Sequence, residues 1–155
     1  MFILFQASAC YHAITSVKAK KVFQKIDHSA IYILIAGTYT PMLILTVPFP
    51  YCIAILAMIW YLAIAGVVFS CISLKNKYIA TGLYLLMGWM SVFLIYYIWT
   101  NGSHQAVYYL LAGGLLYSLG SVLYLLKYKY MHSIWHLFVL GGVILHYCSI
   151  LTLLR

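Results

Sequence analysis

The sequence predicts an all-α integral membrane protein, a bundle of six transmembrane helices in one domain spanning residues 1–155. Three observations carry this. Of 155 residues, 66% are apolar and only 6% charged, where a soluble domain carries about a quarter charged residues; the mean hydropathy is +1.03. Apolar runs of about 20 residues, the length a helix needs to cross a bilayer, follow one another along the chain. The lysines stand in clusters between those runs, so the net charge of +8 marks membrane topology and not a nucleic-acid surface.

The first run, roughly residues 1–17, ends at Lys18, Lys20 and Lys21. It is short for a full span, as if the chain begins partway into a helix, and it shows no basic leader or small-x-small cleavage site. The second runs from about 28 to 47 and stops at Pro48, with Pro50 beyond; Pro41 within it predicts a kink. The third covers about 51–74 and ends at Lys75, Asn76 and Lys77. The fourth covers 78–99 and closes on Asn101-Gly102-Ser103, a turn signal. The fifth spans about 105–126, before Lys127 and Lys129, and the sixth 132–154.

Every lysine falls in the first, third or fifth loop, and alternate loops share a side of the membrane. The positive-inside rule makes that side cytoplasmic and leaves Arg155 on the far side. Tyr78, Trp99, Tyr128 and Tyr130 sit where spans meet headgroups, as amphipathic rings prefer. Gly113, Gly114, Gly120, Gly141 and Gly142 are expected to allow close helix contact. The cysteines Cys10, Cys52, Cys71 and Cys148 lie inside apolar runs without a CxxC pair and read as small buried residues.

The chemistry concentrates in residues 131–147, MHSIWHLFVLGGVILHY. His132 and His136 are four apart and share one helix face, the spacing at which helical zinc proteases grip a metal. The protease motif has a glutamate after its first histidine; here that place holds Ser133, so a base must come from elsewhere. Two interfacial histidines with ordinary hydrogen-bond partners are the alternative.

His12, about two turns before Lys18, and His136, about two turns after Lys129, lie at one depth near the lysine face. Asp27, the single acidic residue of the chain, begins the second run from that face. It can cap the helix or act as base or ligand. Ser8 lies one turn deeper than His12 on the same face. Three imidazoles with an open fourth position match catalytic zinc. His28 is an interfacial neighbour or an alternative ligand, and His104 a solvated loop residue. His146 stands too far along its helix to share that metal and reads as a hydrogen-bonded core histidine. A b-type haem between His12 and His136 is a further possibility, one that leaves Asp27 and His132 idle.

The segments FQASACYHAI, KIDHSAIYILIAGTYTPMLI, LYLLMGWMSV, GGLLYSLGSVLY and HSIWHLFVLGGVILHY resemble the hemolysin III family. That family is related to the progestin and adipoQ receptors and is more distantly similar to alkaline ceramidases. The resemblance implies zinc held by His12, His132 and His136, with Asp27 and Ser8 beside it. It also implies a seven-helix fold, of which this sequence would lack the first helix. The functions implied are hydrolysis of a lipid amide or ester drawn from the surrounding membrane lipid, membrane damage, or signalling with a structural zinc. A bacterial inner membrane is the expected location.

Overall fold

The computed structural model describes residues 15–72, 77–101, 103–126 and 131–154, together with residue 6. These residues form helices α1 (Val17–Thr46), α2 (Tyr51–Ile72), α3 (Lys77–Trp89), α4 (Val92–Asn101), α5 (His104–Leu125) and α6 (Met131–Leu153). The protein is all-helical, and with α3 and α4 taken together five spans are long and apolar enough to cross a membrane. The first sequence run lies almost wholly outside the described residues.

Helix α1 differs most from expectation. The lysine cluster is not a loop before the second span but the first turns of one 30-residue helix. Lysine is a good helix former, and Val17, Lys18, Lys20, Lys21 and Val22 are exposed, so nothing about the cluster requires the helix to stop. Thirty residues rise about 45 Å, against a hydrocarbon layer of about 30 Å. The lysine-bearing end therefore overhangs the apolar layer, and Asp27, about 28 Å along the axis from Thr46, falls at its edge. Lys25 Nζ reaches the Cys71 carbonyl at 2.6 Å, a cation on the last carbonyls of α2. That bond puts the first lysine cluster at the same end of the bundle as the α2–α3 connection. Cys71 is exposed there, correcting its reading as a buried residue, whereas Cys52 is buried; Cys10 lies outside the described residues.

The fourth span is not one helix. It breaks at Met90–Ser91, where Ser91 N–H bonds the Gly88 carbonyl and Phe93 N–H the Met90 carbonyl. Tightening the turn in this way takes Ser91 N–H from the Met87 carbonyl. Tyr39 Oη on α1 replaces it, donating toward the Met87 and Gly88 carbonyls at 2.9 and 2.8 Å. Helix α1 itself continues through Pro41.

The closest pairings are α5 with α6 and α1 with α2. On the α5–α6 seam a Cβ at Gly113 would collide with the His146 imidazole, and one at Gly142 would meet the Tyr117 ring at 2.8 Å. Those glycines make the close contact expected of them, as does Gly120 against Phe138. Gly114 does not: it has open space beside it and lines a cavity instead. Outward-facing Phe49, Phe93 and Leu137 are strongly exposed, as lipid-facing side chains are.

Candidate metal centre

Four helices bring polar side chains together at the lysine end. Helix α1 supplies Asp27 and His28, α3 Thr81 and Tyr84, α5 Ser121 and Tyr124, and α6 Trp135. Each pair on α3 and α5 is three residues apart and so shares a helix face. The seven side chains, with Ile31, line a cavity of about 10 Å³. Asp27 is 2% exposed and lies ten residues inside α1, so the capping role open to it in the sequence is excluded. A carboxyl group is costly to bury in a membrane bundle, because lipid gives it no compensation.

His28, 9% exposed, is paired with Tyr84. Tyr84 Oη donates to the His28 carbonyl at 3.2 Å, and His28 Nδ1 lies 3.2 Å from the same hydroxyl. Tyr84 rests on Tyr32 with ring centroids 4.6 Å apart.

His136 is 9% exposed on α6, with its ring 4.7 Å from that of Trp135. Counting back from Leu153, it sits about 26 Å from the far end of its helix. By the same count from Thr46, Asp27 lies about 28 Å from the far end of α1. His132 lies one turn earlier than His136 on the same helix face, but its side chain, like all of Ser8 and His12, is outside the described residues. Among the described residues no three His, Cys, Asp or Glu side chains group as metal ligands. Of the expected zinc centre, what is described is one buried imidazole, His136, and one buried carboxyl, Asp27.

Beyond the polar centre lies a second, largely apolar cavity of about 70 Å³. It shares Ile31, Tyr84, Ser121 and Trp135 with the first, so those four residues partition the two. Its far end carries His146, whose Nε2 donates to the Leu110 carbonyl at 3.2 Å. The imidazole also meets the Tyr117 ring edge-on at 5.2 Å. His146 is thus the hydrogen-bonded core histidine expected. His104 is exposed but stacks on Trp99 at 4.0 Å.

Sequence reasoning missed Tyr84, Thr81, Ser121 and Tyr124. A signal existed: Thr81-Gly-Leu-Tyr84 and Ser121-Val-Leu-Tyr124 place the same hydroxyl-x-x-tyrosine pattern in two different apolar runs.

A multi-pass helical bundle with a buried acid and histidines at one end defines a class of integral membrane protein with an intramembrane polar centre. The chain belongs to the haemolysin-III-related family, whose model matches residues 1–147. It is 44% identical to Hemolysin-3 of Bacillus cereus over 144 residues, 92% of this chain and 66% of that protein. It is 38% identical to the Hemolysin-3 homolog of Bacillus subtilis (strain 168) over 156 residues, 96% of this chain and 73% of that protein. The human monocyte to macrophage differentiation factor is 28% identical over 155 residues, 95% of this chain and 64% of that protein. The chain thus spans about two thirds of the length of the curated relatives it matches. No solved structure matches it.

Proposed function

We propose that the chain carries a zinc-dependent hydrolase centre acting on a lipid amide or ester that enters from the bilayer. The lysine-rich end faces the cytoplasm, in a bacterial inner membrane. One observation supports this above the rest: the only acidic side chain is buried at the lysine end, at nearly the depth of His136, beside an apolar cavity. His12, His132 and His136 would hold the metal. Bound zinc supplies Lewis acidity and lowers the pKa of water to about 7.

The remaining work falls to the chain's own groups. Asp27 takes the proton from the attacking water and returns it to the leaving group. Ser8 donates a hydrogen bond to the oxygen on which charge develops. The apolar cavity behind Tyr84 and Trp135 takes part of the lipid's hydrocarbon and excludes bulk water. The names of the Bacillus relatives favour a second reading, membrane damage.

Hydrolysis of a short-chain ceramide by the purified protein separates the two. Asp27→Asn keeps the shape but cannot act as a base; it is expected to retain zinc and lose activity by about 10- to 100-fold or more. Unchanged turnover in that variant removes Asp27 from the chemistry. A zinc-loaded wild type without turnover, alongside lysis of vesicles, favours the second reading.

A further inference from the structure

We infer that Lys18, Lys21 and Lys25 form the headgroup half of a binding site for one anionic phospholipid, whose acyl chain lies along the flank of α2 where it meets α1. Tyr32 packs on Gly66 across the α1–α2 seam, since a Cβ there would overlap its ring. Lys25 and Lys18 stand seven and fourteen residues before Tyr32, on nearly the same helix face, with Lys21 between them. The seam therefore continues toward the lysine end as a row of ammonium groups. Lys18 and Lys21 are exposed. Lys25 gives one of its three hydrogens to the Cys71 carbonyl, leaving two for a headgroup. Counted from Thr46, Lys25 stands at the edge of a hydrocarbon layer of about 30 Å, with Lys21 and Lys18 about 6 and 10 Å beyond it, among the headgroups. The one acidic side chain, Asp27, is buried, so no acidic side chain competes for these cations.

The apolar half is a stripe on α2, the least covered of the spans. Trp60, Ile64, Val67 and Cys71 recur at helical spacing and so share one face. Trp60, Ile64 and Cys71 are exposed, and Val67 is half-buried. Both ends of the stripe are tied to α1. Trp60 Nε1 donates to Thr40 Oγ1 at 3.2 Å, and Cys71 accepts from Lys25 at 2.6 Å. From Cys71 to Trp60 the stripe rises about 16 Å, close to half of the hydrocarbon layer, the depth of one leaflet. A phospholipid carries its anion and a hydrocarbon of that reach on one molecule, whereas a soluble anion would use only the lysines. The site depends on neither metal nor turnover, so its failure and that of the hydrolase reading are separate results.

Photolabelling of the purified full chain in phosphatidylcholine nanodiscs tests it. The probe is tracer phosphatidylglycerol with a diazirine on its acyl chain, and the reference is phosphatidylcholine with the same chain. Mass spectrometry of the labelled peptides is expected to find phosphatidylglycerol on residues 60–71 in preference to the reference lipid. Near a membrane surface each lysine contributes about fivefold in affinity for anionic lipid. Lys18→Gln combined with Lys21→Gln should therefore lower the preference by about 5- to 25-fold. Lys127→Gln with Lys129→Gln, which stand between α5 and α6, should leave it unchanged. Equal labelling by the two lipids overturns the inference, as does a preference that survives the Lys18 and Lys21 changes. If that variant fails to fold, the wild-type comparison of the two lipids decides alone. A preference abolished by inorganic phosphate, but not by chloride at equal ionic strength, marks a soluble-anion site and also overturns it.

Discussion

Gly113 and Gly114 are neighbours in sequence with opposite roles, and the contrast tests the packing residue by residue. A Cβ at position 113 runs into the His146 imidazole, while one at 114 meets open space. Gly113→Ala is therefore expected to destabilise the protein by about 1–3 kcal/mol through overpacking. Gly114→Ala should be neutral or stabilising by up to about 1 kcal/mol, because alanine favours the helix. Thermal unfolding in nanodiscs orders the variants, and Gly114→Ala falling below Gly113→Ala would contradict the α5–α6 seam. Asp27 shows what could not be read at this scale. It stands out in the sequence because it is the only acid. Its surroundings were not, because Thr81, Tyr84, Ser121 and Tyr124 reach it only through tertiary packing.

Among elements, the spans expected at 51–74, 105–126 and 132–154 are helical close to their expected bounds, since uninterrupted apolar length leaves a bilayer protein few other choices. Two details escaped the sequence for physical reasons. The lysine cluster reads as a boundary by charge but is a helix by propensity. The α3–α4 break carries no proline to announce it, and the group that stabilises it, the Tyr39 hydroxyl, comes from another helix. Tyr39→Phe leaves the Met87 carbonyl without that donor and is expected to cost about 1–3 kcal/mol. An unchanged unfolding midpoint would show that water or a backbone N–H satisfies the break instead.

For the whole molecule, sidedness and metal content are the properties that matter. The Lys25–Cys71 contact ties the first lysine cluster to the α2–α3 end, which requires the α4–α5 connection to lie on the opposite side. With the native cysteines replaced, Ser16→Cys should label from the cytoplasmic side and His104→Cys from the other, both positions being exposed. Labelling of both from one side would break the topology. The central claim is that three histidines at the lysine end hold one zinc. Elemental analysis of the purified protein, read beside its absorption spectrum, tests it most directly. One zinc per chain and no haem absorption are expected, with the metal lost in His12→Ala, His132→Ala and His136→Ala but kept in His146→Ala, whose imidazole is bonded to Leu110. A haem spectrum, no bound zinc, or equal loss of zinc in His146→Ala would contradict the claim.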